Sequence, residues 1–242
     1  MMSMDCLADY SRNGGYVQGG VTMTNETVKC NFDRGRRFDV DVMDDLETAG
    51  LAFGRLSAQF IRDKVVPELD AFRFASYCGI SGVTKKEETL ADGAATVAAL
   101  SAAVTAMDDE EVTATGRYLF ITPTLLQGIN DMDTTKSKKV LEGFEQVIKV
   151  PQRRFYTAIK QLSGKTGEEA GGYTKATGAA NINFAIVQKD ALIQYTKHAA
   201  PKIIAPENNP DADAYVFGYR MVGIAKAYKN MLSGMYFSHD KA

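Results

Sequence analysis

Three kinds of residue in this 242-residue chain could do chemistry. The first is Gly164-Lys165-Thr166, the tail of a phosphate-cradling loop. In such a loop backbone N–H groups wrap a phosphate and the lysine reaches its outer oxygens. The full pattern also needs a glycine five positions before Gly164, and this chain has Ile159 there. It needs a strand before and a helix after, whereas SGKTGEEAGGYTKATGAA (163–180) reads as a long glycine-rich loop. Nucleotide binding is therefore not expected. The second kind is clustered carboxylates: Asp44 with Asp45, Asp108 to Glu111, and Glu168 with Glu169. A general acid–base pair must face across a cleft. Each of these clusters falls at a helix start or in a connector, where capping or solvated charge is the ordinary role. The third kind is histidine and cysteine. His198 and His239 stand 41 positions apart, with no cysteine within ten residues of either. That spacing argues against a histidine-based zinc site or triad. No serine sits in a G-x-S-x-G elbow. No catalytic residue, cofactor or metal is expected, and the chain is not expected to be an enzyme.

Composition narrows the classes further. Hydrophobic residues make up 45% and charged residues 24%, ordinary for a soluble globular protein. The net charge of −2, with pI near 5.8, excludes bulk attraction to nucleic acid or anionic membrane but leaves room for a local basic face. Cys6, Cys30 and Cys78 have no metal spacing and read as free thiols of a reducing compartment. The start of the chain lacks a cationic segment followed by an apolar core, so cytoplasmic synthesis is expected and the Asn25-Glu26-Thr27 sequon carries no glycan. No apolar run approaches the roughly 20 residues of a membrane span.

Two basic knots remain. Arg34, Arg36 and Arg37 surround Gly35, beside Asp33, Asp39 and Asp41, and Arg153-Arg154 is the other. Salt bridging within the subunit or to a neighbour is the favoured reading, with phosphate contact as the alternative. Exposed pairs contribute only about 0–1 kcal/mol each, so across a repeated interface they would set register more than affinity.

The elements that position these residues can be read from periodicity. VTMTNETVKCNF (21–32) alternates between two polar faces, which suggests exposed strands of a projecting hairpin. A hairpin without a core is marginal in water and needs a partner surface. Asp41 or Asp44 can cap the next helix. Leu46, Ala49, Phe53, Leu56, Phe60, Ile61 and Val65 then recur at spacings of three and four, a single apolar stripe with Phe53 and Phe60 as its buried face. Pro67 kinks this helix or starts a second one, and apolar contacts continue to Tyr77. The whole element would span roughly 50 Å at about 1.5 Å per residue. An alanine-rich helix is expected over 94–107. A short buried strand over 117–123 would end at Pro123, which opens a short helix. DMDTTKSKK reads as a polar connector, and 142–162 as strands or strand–helix pairs. Strands follow over 181–205, broken near Gln188–Asp190, and two or three closing strands over 215–239.

Three segments in this order resemble the major capsid proteins of tailed bacteriophages, the HK-ninety-seven-type shell fold. GGYVQGGVTMTNETVKCNFDRGRRFDVDVMD (14–44) is similar to the family's extended loop. DDLETAGLAFGRLSAQFIRDKVVPELDAFRF (44–74) is similar to its spine helix. GRYLFITPTLLQGI (116–129) looks like the strand-to-helix step of its axial domain, and the chain from Lys197 to Phe237 is similar to its closing strands. The resemblance covers roughly 12–240 and departs at the N-terminus, where little chain precedes the hairpin.

It implies an α+β fold with an extended β-hairpin loop, a long spine helix, and peripheral and axial domains. The expected divisions are 1–41 for the N-terminal stub and loop, 42–92 with about 206–230 for the peripheral domain, and 93–205 with about 231–242 for the axial domain. It also implies a structural subunit of a bacteriophage or prophage icosahedral capsid, self-assembling into pentamers and hexamers that enclose double-stranded DNA. The partners are then the chain itself, scaffold and portal proteins, and packaged DNA through weak non-specific contact, with no membrane. The place would be the virion, assembled in the bacterial host cytoplasm. Inter-subunit contacts are expected at Tyr16, Arg34, Arg36, Arg37, Glu47, Arg55 and Arg62, with loop 163–180 toward the symmetry axis. The alternatives are a bacterial nanocompartment shell enclosing protein cargo, or an enzyme of unknown chemistry using loop 163–180 as a lid.

Overall fold

The computed structural model describes residues 2–25, 27–47 and 51–241, with the side chains of 2, 3, 46, 47 and 51–54 outside the description. An arm comes first. β1 (Met2–Met4) pairs antiparallel with β2 (Val21–Met23), Met2 opposite Met23 and Met4 opposite Val21. The expected hairpin is thus built differently. The 21–23 strand finds its partner in residues 2–4, and residues 24, 25 and 27–31 join no ladder among the described residues. Alternation marks a strand, but the partner is fixed by register that no single strand encodes.

β3 (Phe32–Asp41) leads into α1 (Val42–Glu47), and the Asp41 carboxylate accepts from the Met43 N–H at 2.8 Å, the expected cap. The long helix follows as α2 (Leu51–Phe60), a π-helical turn (Ile61–Val65) and α3 (Val66–Cys78). The π turn has a local reason. Pro67 has no N–H to give and its ring crowds the carbonyl one turn back. Widening the preceding turn, with Val66 N–H donating to Ile61 O, lets the helix continue through the proline.

β4 (Thr84–Glu87) leads to α4 (Gly93–Asp109), which is capped by the Asp92 carboxylate accepting from Ala95 N–H at 2.7 Å. β5 (Arg117–Ile121) and α5 (Pro123–Asp131) reproduce the expected strand-to-helix step at Pro123. The polar connector is in fact α6 (Thr135–Glu142), started by a capping box between Thr134 and Ser137. Its lysine-rich exposed face hid its period, and the cap was the readable signal.

Then come β6 (Gln146–Lys149), β7 (Ile159–Gln161) and β8 (Tyr173–Lys175); the last two pair as a hairpin, so the stretch expected to be a long loop contains a strand. β9 (Ile182–Gln188) and β10 (Leu192–Ile204) are separated by a 3-10 turn at Lys189–Ala191, as expected. β11 (Ala214–Ala227) and β12 (Met235–His239) close the chain.

The larger sheets divide the molecule. Five strands run in the order β4-β12-β9-β5-β6 and three in the order β10-β11-β3. Every residue of β9 is buried. Phe184 and Ile186 meet α4 and α5 through Leu100, Met107 and Ile129 on one face. Ala185 and Val187 meet Tyr77, Phe155 and Phe237 on the other. The close approach of α4 to α5 needs glycine, since a Cβ on Gly93 would stand 2.2 Å from Gly128 O.

The three-stranded sheet is buried on its outer face only at the Ala214 and Val216 end, and is covered by the long helix on the other. There Phe60 of α2 packs edge-on against Phe38 (4.8 Å) and near Phe217 and Tyr219. β10 is mostly exposed. Although it falls in the span 93–205 expected to be axial, its ladder is with β11, and β4, expected on the peripheral side, pairs with β12.

Candidate functional site

Strand alternation sorts the basic knot at 34–37. Phe32, Arg34, Arg36 and Phe38 point toward the long helix, as the Phe32–Phe72 and Phe38–Phe60 ring contacts show. Asp33, Gly35, Arg37 and Asp39 lie on the opposite face, where Arg37 pairs with Asp39 at 2.9 Å and Asp33 with Arg220 at 2.6 Å. The Arg220 guanidinium holds the Asp33 carboxyl below the usual carboxylate range. A knot that looks single in sequence is therefore two separate features.

Arg34 is a brace. Its Nε donates to Glu68 of α3 at 2.8 Å, and its Nη2 donates to Leu162 O at 2.7 Å and Gly172 O at 3.2 Å. One guanidinium thus ties β3, the helix and both stems of the β7–β8 hairpin, which its planar fork of donors allows. Arg36 Nη2 donates to Glu169 O at 2.9 Å. Arg154 pairs with Asp70 at 3.0 Å, and Tyr173 OH donates to Arg153 O at 2.8 Å. Inside the loop, the Glu168 carboxylate accepts from Lys160 Nζ at 2.6 Å and Ser163 N–H at 2.7 Å. These bonds pull its pKa down to about 2, the lysine contact first.

The glycine-rich segment is therefore stapled against β3 and α3. It does not cradle phosphate, because a strand, β8, follows it where that chemistry needs a helix. Gly164 holds φ of 72°, and a Cβ there would meet Arg36 Nη1 at 2.9 Å.

The carboxylate cluster at 108–111 has a structural use as well. Arg117, 2% exposed, closes the end of α4 by donating to Val112 O and Thr113 O and pairing with Asp108 at 2.7 Å. Among the described residues no group of three or more His, Cys, Asp or Glu could hold a metal ion, and no helix is long and apolar enough to cross a membrane.

The remaining expected contact residues scatter. Tyr16 is 90% exposed on the arm, its ring 5.0 Å from that of Tyr10. Arg55 is exposed on α2, and Arg62 in the π turn pairs with its neighbour Asp63 at 2.8 Å. The Glu47 side chain, like that of Phe53, lies outside the described residues. Sequence reasoning missed the arm's other apolar side chains. Met4, Leu7, Tyr10, Val17, Val21 and Met23 are all more than half exposed, and Leu7 is wholly so. Ladder register puts Met4 opposite Val21, so these two apolar side chains share one face of the ribbon. The signal was present as alternate Val21 and Met23, but their partner strand was not recognised.

No family model matches the chain, and no curated protein matches it in sequence. Solved structures do match in fold. The capsid of cyanophage P-SCSP1u aligns with TM-score 0.60 at 13% identity, over 100% of this chain and 84% of that one. A chain from Gordonia phage Cozz aligns with TM-score 0.61 at 10% identity, over 100% and 81%. The virus-like particle from Pyrococcus furiosus aligns with TM-score 0.57 at 9% identity, over 98% and 86%. Matched over 98–100% of its length, the chain has the HK-ninety-seven-type shell fold of phage capsid structures.

Proposed function

We propose that this protein is the shell subunit of a tailed-phage or prophage capsid, assembling with copies of itself into pentamers and hexamers around double-stranded DNA. The observation that carries this reading beyond the fold is the arm. Apolar side chains over residues 4–23 stand in solvent on a ribbon with no core of its own. Two strands alone are marginal, and so many large apolar side chains exposed on one short arm support an interaction site there. A neighbouring copy is the partner that a symmetric shell supplies to every subunit alike. Closure then multiplies many modest contacts.

Sheet membership suggests a revised division. The arm is 2–31. The peripheral part is 32–78 with 192–227, and the axial part is 84–188 with 235–239. The virion is the proposed destination and the host cytoplasm the place of assembly, with scaffold and portal as further partners. Tyr16 belongs to the proposed inter-subunit surface, as do the exposed Arg37 and Arg55, whereas Arg34 serves within the subunit.

Negative-stain electron microscopy with light scattering tests the reading. Rings of five or six, or closed shells, are expected from the full chain. Removal of residues 2–23 should leave a folded subunit that no longer assembles. Shells of normal size from the shortened chain would end the proposed role of the arm, and a full chain that stays monomeric would end the shell reading.

A further inference from the structure

The two basic knots, more than a hundred residues apart in sequence, converge. A concavity of about 1380 Å³ opens between β3, the π turn and the β7–β8 hairpin. Among the described residues, cations reach it from four chain segments: Arg34 and Arg36, Arg62 and Lys64, Arg153 and Arg154, and Lys175. Asp33, Asp63 and Glu68 stand among these seven cations, and Asp70 pairs with Arg154 at 3.0 Å. The excess of three positive charges sits on a chain whose net charge is −2. Charge so strongly segregated into one concave surface raises the local potential and the concentration of anions beside it.

The use of each cation shows which are spent. Arg34 and Arg154 are engaged with Glu68 and Asp70 inside the subunit. Arg36 and Lys175 each donate one bond, to Glu169 O and Asn181 Oδ1, yet with Lys64 and Arg153 they are exposed around the opening. The volume exceeds the roughly 300–1,000 Å³ of a small-ligand pocket. Separate cations spread along an open surface suit a repeating anion better than a single carboxylate. We infer that this concavity holds the phosphate backbone of duplex DNA. The inference deepens the shell reading and rests on it for the source of the DNA. Phosphate contacts of this type position without reading sequence, and they weaken steeply with salt.

The test uses the full chain, diluted to where light scattering shows unassembled subunit, and a labelled duplex of about 20 base pairs read by fluorescence anisotropy at about 50 mM salt. The variant combining Arg36→Gln, Lys64→Gln and Arg153→Gln should lose affinity about tenfold or more, and its slope against log salt should be shallower by about 2 to 3. A control combining Lys136→Gln and Lys139→Gln on α6 should bind like the parent. If the triple variant fails to fold by circular dichroism, Lys64→Gln alone, on an exposed side chain of the helix, should still lower the slope by about 1.

Equal losses in the control and the cavity variant would overturn the inference. So would no binding by the parent, or displacement of the duplex by polyglutamate at equal charge, which would assign the surface to an acidic protein segment. Because binding is read on unassembled subunits, a shell that forms without cavity-dependent binding sinks this inference alone. Binding without any shell sinks the shell reading and leaves the cavity assignment standing.

Discussion

The five-stranded sheet and the three-stranded sheet are built from the same kinds of residue and finished in opposite ways. β9 is buried along its whole length, with helices on one side and Tyr77, Phe155 and Phe237 on the other. β10 is nearly twice as long and mostly exposed, on the free edge of a sheet covered mainly on one face. A sheet covered on both faces is complete within its subunit. A sheet with one face largely bare beyond its Ala214 and Val216 end, and with an open edge, is stable enough to fold but leaves surface for another chain. The comparison teaches where this molecule keeps its stability and where it keeps its contacts.

The sharpest way to break that contrast is in β9. Phe184→Ala removes a fully buried ring stacked near Tyr236 and should cost about 3–5 kcal/mol in urea unfolding. A loss under about 1 kcal/mol would show that the five-stranded core is not the stable half. Phe60→Ala probes the other sheet. The apolar stripe alone suggested a fully buried ring, but Phe60 is only half-buried, so about 2 kcal/mol is expected, burial and ring contact together. A cost equal to that of Phe184→Ala would erase the distinction between the sheets.

Arg34→Ala tests how the hairpin is held. About 1 kcal/mol of global stability should be lost, since the ion pair is partly exposed. Amide exchange around Leu162 and Gly172 should rise first. Unchanged exchange there would remove Arg34 as the brace.

The smallest effect is set by pH. The folded pKa of Glu168, about 2, lies below the ordinary carboxylate value, so its contribution is full above about 4.5 and fades as pH falls toward 2. Ser163 amide protection should fall in that window while β9 amides stay protected. Loss of both together would mean that the loop and the core open as one unit.

Much of the fold was legible in the sequence because its signals are local. Asp41 capping α1, Pro123 opening α5, the alanine-rich α4 and the break after Gln188 each rest on a few adjacent residues. Even α6 announced itself through Thr134 and Ser137, although its polar composition masked the helix. The candidate surfaces were less legible. Tyr16 and the two basic knots were visible as residue types, but alternation along β3 decided which arginine faced the helix and which faced away.

The sequence by itself determined where most helices and strands begin and end, and that no catalytic motif is spelled out in the chain, because caps, prolines and periodicity act over one or two turns of backbone. Only the tertiary structure decided that β2 pairs with residues 2–4, that a π turn carries the long helix through Pro67, and that Arg36 and Arg153 share one concavity. Those facts depend on strand register and on side chains distant in sequence meeting in space, and neither is written in any single segment.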